Sequence, residues 1–287
     1  MRRILGFAIV AVLLGSSSAR ADFLTGSYSS LAVGTTIDLT AQGTLDWAKF
    51  GTDNTNGTTT FYTATMIGNP VINPNITALG TAPPGTAVTL DQFGNGSNTS
   101  PTTSGNLNFT WSNGNFGMGY PNYSLSSVNS VVSETIIPAV NSYPLGLGAE
   151  FTASVSPNTQ ILDVYVQGFN SVMTITASLS GGLSTSVNVT PTVNPPSDPS
   201  NYYAFGVYQI IYSGSASETL TVSVQTALNQ PSNPPWAGAS QAAFPNAGIF
   251  AATVSAAPFT AAPEPASAVM LALGSLLGIG FIRRRRC

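Results

Sequence analysis

The sequence contains no histidine and one cysteine, and it is almost without positive charge away from its two ends. Of eight basic residues, Arg2, Arg3 and Arg20 stand near the N-terminus and Arg283, Arg284, Arg285 and Arg286 near the C-terminus. Lys49 is the only base between positions 21 and 282. Only 7% of the 287 residues are charged, against about 25% in ordinary soluble domains. Each shortage excludes a class of function. Nucleic-acid binding needs clustered Lys and Arg to neutralise phosphates, and the body has no such cluster. Without histidine there is no imidazole base and no His-ligated metal site. One cysteine permits neither an intramolecular disulfide nor a CxxC motif.

What is present begins at the ends. Met1-Arg2-Arg3 is a short positive segment, and Ile4 to Leu14 is an apolar run of eleven residues, too short to span a bilayer. Ala19-Arg20-Ala21 follows, with small residues at the −3 and −1 positions that signal peptidase requires. The order predicts a signal peptide over 1–21, cleaved after Ala21. At the other end, Pro263-Glu264-Pro265 precedes Ala266 to Ile282, seventeen residues without a charge, and then the arginine cluster. As a helix that segment is about 25 Å long, at the short end for a transmembrane span, and snorkelling arginines extend its reach. The positive-inside rule keeps Arg283–Arg286 cytoplasmic, so both ends place the body outside the cytoplasm.

The three-part tail resembles the PEP-CTERM sorting signal of Gram-negative bacteria. The matching residues are Pro263, Glu264, Pro265, the glycine-rich apolar segment, and Arg283, Arg284, Arg285 and Arg286. The resemblance covers about the last 25 residues. It implies that an exosortase, a membrane enzyme, recognises the tail and removes it near the PEP motif. Cys287 belongs to no motif and would leave with the tail. The expected organisation is a signal peptide over 1–21, a β domain over 22–255, a linker with the PEP motif over 256–265, a transmembrane helix over 266–282 and a basic tail over 283–287.

The body is rich in Ser, Thr and Asn, and its apolar residues alternate in short runs, the pattern of half-buried strands. Strands are expected at Thr35–Leu39, Thr44–Phe50, Thr59–Ile67, Ala87–Phe93, Leu107–Trp111, Glu134–Ile137, Glu150–Val155 and Ile161–Gln167. Further strands are expected at Val172–Leu179, Thr185–Val189, Tyr202–Tyr212, Glu218–Thr226 and Ile249–Val254. Strict alternation in Glu218–Gln225 puts Leu220, Val222 and Val224 on one buried face. Gly181-Gly182 reads as a hairpin turn, and Asn56-Gly57, Asn95-Gly96, Asn113-Gly114 and Ser213-Gly214 as further turns. This spacing points to an all-β fold, an antiparallel two-sheet sandwich of jelly-roll type. Pro191–Pro199 reads as a long loop. Gly94–Gly105 and Asn229–Pro245 read as weakly structured, and Ala256–Ala262 as a tether.

Four constellations in the body could carry chemistry. A secreted glycosidase needs two carboxylates, and Glu150 and Asp163 are the strand-borne pair that a plausible strand pairing brings near each other. With no arginine or histidine in the body to position a substrate, catalysis ranks last. Gly43–Gly51 is the most distinctive string. A strand there sends Leu45, Trp47 and Lys49 to one side and Asp46, Ala48 and Phe50 to the other. The string resembles a TLDWA-(His/Lys)-(Trp/Phe)-G segment of exported β-sandwich proteins. It reads either as structure, with Trp47 in the sandwich and Asp46 capping a loop or pairing with Lys49, or as a ligand site with Asp46 and Lys49 beside an aromatic. Trp111, Phe116, Tyr120 and Tyr123 lie in a Gly- and Asn-rich stretch, where they would either offer a stacking surface for sugars or fold back onto the core. Asp53–Gly57 offers oxygen ligands for a structural calcium but fails the EF-hand register, and an Asn-Gly turn explains it equally well.

The expected function is that of a non-enzymatic exported protein without a required cofactor, sorted through its tail. It begins as an inner-membrane-anchored precursor and ends at the cell surface or in the extracellular matrix. Its partners are signal peptidase and exosortase during export, the membrane before processing, and in an alternative reading an exopolysaccharide. A secreted glycoside hydrolase is the second alternative. Without its tags, residues 22–262 carry one basic and ten acidic groups, a net charge of −9. That charge disfavours nucleic acid and anionic lipid as ligands.

Overall fold

A computed structural model describes residues 22–53, 60–66, 68, 70–80, 88–92, 107–116, 120–121, 132–136, 146–193, 202–229, 231 and 246–258. Ala19, Ala21, the Pro263–Pro265 motif and Arg283–Arg286 lie outside these residues, as do Tyr123, the turns at Asn56 and Asn95, and the segment Gly94–Gly105. The chain divides into two units, Met1–Ala256 and Ala257–Cys287, and the described strands all lie in the first.

Apart from one helical turn the described chain is all-β, and its two large sheets are antiparallel. Its strands are β1 (Phe23–Ser30), β2 (Thr36–Asp38), β3 (Asp46–Asp53), β4 (Thr60–Met66), β5 (Thr77–Leu79), β6 (Val88–Gln92), β7 (Asn108–Thr110), β8 (Gly114–Phe116) and β9 (Tyr120–Pro121). They continue with β10 (Val132–Ile136), β11 (Gly148–Ser154), β12 (Gln160–Phe169), β13 (Met173–Leu179), β14 (Ser184–Val189), β15 (Tyr203–Ser213), β16 (Thr219–Thr226) and β17 (Asn246–Ala256). One helical turn, α1 (Leu39–Gln42), follows β2. A five-stranded sheet runs β14-β13-β16-β11-β5. A ten-stranded sheet runs β1-β15-β12-β17-β3-β4-β8-β9, with β10 attached to β17 and β6 to β10.

The two sheets face each other across a shared apolar interior. Leu220, Val222 and Val224 of β16 are fully buried there, as the alternation predicts, with Ile175 and Ala177 of β13 and Phe151 of β11. Opposite them stand Leu162, Val164 and Val166 of β12, Ile210 and Tyr212 of β15, and Ala48 and Phe50 of β3. The Phe50 and Phe151 rings meet across the gap at 5.4 Å. The Gly181-Gly182 hairpin forms between β13 and β14: the Leu179 amide donates to the Leu183 carbonyl at 2.8 Å, and Gly182 takes a φ of 104° that a side chain would strain. Residue 148 also has to be glycine, because a Cβ there would run into the Val224 carbonyl of β16.

Two features depart from the expected pattern. In β17 the register shifts opposite Tyr165 and Val166, so Phe250 and Ala251 both face outward while Ile249 and Ala252 face the interior. This is a β-bulge, and it changes which residue parity is buried halfway along the strand. The strand expected over Thr35–Leu39 stops at Asp38. The Asp38 carboxylate accepts hydrogen bonds from the Thr40 and Ala41 amides at 3.0 and 3.2 Å, an N-cap that turns Leu39 into α1 instead of extending the strand.

The outer face of the ten-stranded sheet is also covered. β2 pairs in parallel with β7, Ile37 opposite Phe109. Together with α1 they bring Ile37, Leu39, Leu107, Phe109 and Trp111 down onto Trp47, Tyr165, Phe205 and Phe250. The central strands of the ten-stranded sheet are thus buried on both faces. That makes the region around β3 a three-layered structure, where the sequence pattern suggested two.

Candidate functional site

The Gly43–Gly51 string becomes the start of β3, and its side chains alternate across the sheet as a strand requires. Ala48 and Phe50 enter the interior between the sheets, whereas Trp47 enters the outer cluster beneath β2, α1 and β7. Trp47 therefore packs under the third layer and not within the sandwich. Its indole Nε1 donates to Asn113 Oδ1 at 3.0 Å, and Thr40 Oγ1 donates to the same oxygen at 2.8 Å. The Ser112 amide in turn donates to Thr40 Oγ1 at 2.9 Å. The Trp47 and Trp111 rings lie 5.6 Å apart. Asn113, which the sequence marks only as a turn residue, thus ties α1, β3 and the end of β7 together.

Asp46 is buried and holds a loop. Its carboxylate accepts hydrogen bonds from the Trp47 amide at 2.8 Å, the Val71 amide at 2.6 Å and the Ile72 amide at 2.7 Å. Burial raises its pKa above the usual carboxylate value, and the three amides pull it back only in part. Of the structural roles the sequence allowed, loop capping is the one this carboxylate performs. Replacing it tests that role. Asp46→Ala leaves the Val71 and Ile72 amides buried without an acceptor, at an expected cost of about 3 kcal/mol. Asp46→Asn keeps one carbonyl oxygen and should cost about half as much. Urea unfolding midpoints of the two variants check the order.

Lys49 is fully buried on the outer face. Its Nζ donates to the Phe50 carbonyl at 2.7 Å and stands 5.1 Å from the centre of the Phe109 ring and 5.9 Å from that of Phe250. The rings offer their negative faces to an ammonium, but loss of water dominates and pushes the Lys49 pKa down to about 7.

Of the aromatic stretch, Trp111 folds inward. Trp111 is 3% exposed, so its ring closes the outer cluster and offers no face to a sugar. Tyr120 lies in β9, opposite Phe116 of β8. Trp47 and Trp111 are both in the core, so neither belongs to a polysaccharide surface, and Tyr123 lies outside the described residues.

Glu150 and Asp163 do not form a pair. β11 pairs with β16 and β5 in the five-stranded sheet, while β12 pairs with β15 and β17 in the ten-stranded one. Each carboxylate alternates with the interior residues of its strand and points away from the gap, so two sheets about 10 Å apart separate them. The expected neighbour relation fails because consecutive strands change sheets. Glu150 accepts a 3.4 Å hydrogen bond from Thr77 Oγ1. Asp163 accepts one from Gln209 Nε2 at 3.0 Å, and burial raises its pKa against that bond.

Gln167 was not marked by the sequence. It is buried on the outer face of β12, and neither its amide nitrogen nor its amide oxygen has a hydrogen-bond partner. Its cross-strand neighbours are Phe205 and Gly248. Alternation assigns it to that face, but only knowledge of the third layer makes the face a buried one. Among the described residues, no group of three or more Asp, Glu or Cys side chains is placed to hold a metal ion. The Asp53–Gly57 loop lies largely outside them.

No family model, no curated protein and no solved structure matches the chain.

Proposed function

We propose that this is an exported, non-enzymatic protein of the cell surface or extracellular matrix, sorted through a C-terminal PEP-CTERM signal. The observation that carries the reading is the order of features along the chain. Met1-Arg2-Arg3, an apolar run and Ala19-Arg20-Ala21 precede the β domain, and Pro263-Glu264-Pro265, seventeen uncharged, mostly apolar residues and four arginines follow it. The structure adds a supporting fact: Asp46, Trp47, Lys49 and Trp111, the residues of the distinctive strings, are engaged in packing and loop capping. We read the sandwich as jelly-roll-like, because β11 to β17 pass repeatedly from one sheet to the other. Among the described residues no helix is long and apolar enough to cross a membrane; the spanning helix of this reading is residues 266–282.

Deleting residues 263–287 tests the sorting role. The full chain is expected in the membrane fraction and then at the cell surface. The truncated chain is expected as a soluble species on the outer side of the inner membrane. An unchanged distribution would refute the role of the tail.

A further inference from the structure

We propose that the pole of the domain at which β1 begins and β17 ends is the face that meets the bilayer while the tail is anchored, and that it accepts a zwitterionic lipid surface. This rests on the reading of residues 266–282 as a membrane segment. The two ends of the domain share one edge of the molecule. Phe23 stands beside Ser213, Tyr212 beside Gln160, and Gln160 beside Ala256. These ends form a row across β1, β15, β12 and β17, about 14 Å wide at the ordinary strand spacing. From Ala256 only the residues 257–265 remain before the apolar segment, a reach of about 31 Å when fully extended. The opposite pole is the whole length of β12 further away, about 33 Å for ten residues.

The chemistry of this pole fits. Four large apolar side chains are exposed among the described residues, and three of them are here. Phe23 is 45% exposed, Leu45 41% and Leu183 41%. The Leu45 amide donates to the Val254 carbonyl at 3.0 Å, two residues before the last residue of β17. Leu183 closes the hairpin that contains Gly181, and Gly181 lies against the carboxylates of Asp22 and Glu218. The fourth, Leu228, is 73% exposed but sits at the other pole, after Ala227, whose amide donates to the Val172 carbonyl just past the far end of β12. Single exposed apolar residues are ordinary; three at the pole from which the tether leaves are what a lipid contact needs. Asp22 and Glu218 give this pole two carboxylates, which the α-ammonium left on Asp22 by cleavage after Ala21 offsets only in part, and the one basic side chain of the body, Lys49, is buried elsewhere. Anionic headgroups are repelled by such a surface, and zwitterionic ones are not.

The test uses the signal-processed chain that keeps its tail, residues 22–287, with Cys287→Ser and a single cysteine as Leu45→Cys, Leu183→Cys or Leu228→Cys, each labelled with a fluorophore. The labelled proteins are reconstituted into phosphatidylcholine vesicles containing nitroxide-headgroup lipid. Fluorescence is expected to be lost at positions 45 and 183 and retained at 228. Replacing half of the lipid with phosphatidylglycerol should restore fluorescence at 45 and 183. Equal quenching at all three positions, or stronger quenching at 228, would overturn the assignment of the pole. Failure of the protein to float with the vesicles would overturn the membrane reading of residues 266–282 as well, and so distinguishes the two failures.

Discussion

Between pH 7 and pH 9.5 the domain is expected to gain about 3 kcal/mol of stability, the reverse of what alkaline conditions usually do. The source is Lys49. Its ordinary pKa is 10.5 and burial brings it to about 7. Below pH 7 the lysine carries its proton in both the folded and the unfolded chain, and the full cost of a buried charge opposes folding. Between the two values the unfolded chain holds a proton that the folded chain has lost. Stability therefore rises with pH at about 1.4 kcal/mol per unit. The rise ends near pH 10. Burial pushes the phenols of Tyr28 and Tyr165 up to about 12, and a raised acid pKa removes stability once the unfolded tyrosines begin to ionise. Asp46 and Asp163, also raised by burial, lower stability as pH increases, but they start from the acidic carboxylate range. Urea unfolding across pH 6 to 10 measures the slope. Lys49→Met keeps the stem that packs on Phe109 and Phe250 and removes the ammonium. It should flatten the profile and raise stability at pH 7 by about 2 kcal/mol. A wild-type profile that is flat above pH 7 would mean that the ammonium is not desolvated.

Trp47→Ala should cost about 4 kcal/mol, a large part of the 5–15 kcal/mol that holds a typical domain together. The indole is fully buried, touches Trp111 and donates to Asn113 Oδ1. Its removal opens a cavity beneath α1 and β7 and breaks the link between those elements and β3. Trp47→Phe keeps a ring and loses the N–H bond. Because Asn113 Oδ1 retains its bond from Thr40, the expected cost is only about 1 kcal/mol beyond the change in packing. Trp111→Ala measured alone and together with Trp47→Ala should show non-additive losses, since the rings share one cluster. Were Trp47 a ligand-contacting residue, its substitution would lower binding and leave the melting temperature in place. The packing predicts a lower melting temperature.

Much of this architecture is readable from side-chain alternation. The expected strand at Glu218–Thr226 and the Gly181-Gly182 turn are present because a period of two and an adjacent glycine pair are local signals. β1 is different. Gly26 and the Ser and Thr residues around it weaken the apolar alternation. What fixes the strand is long-range: the Tyr208 ring lies over Gly26 and the Tyr28 ring over Gly206, each filling the space a Cβ would need. Asp38 ended an expected strand by capping α1, an outcome that depends on the turn that follows it. The bulge at Phe250 has no local signature either. For the candidate site, the sequence correctly put Trp47 and Lys49 on one side of β3 and Asp46 on the other. It could not show that β2, α1 and β7 return to bury the outer side, because that cover is assembled from segments more than 60 residues apart. The same limitation made Glu150 and Asp163 neighbours on paper, although successive strands lie in different sheets.

The most direct test of the proposed sorting and export is mass spectrometry of the protein recovered from the cell surface or the surrounding matrix. The mature species is expected to begin at Asp22 and to end at or just before Pro265. A surface species that still contains Arg283–Cys287 would contradict removal of the tail by an exosortase.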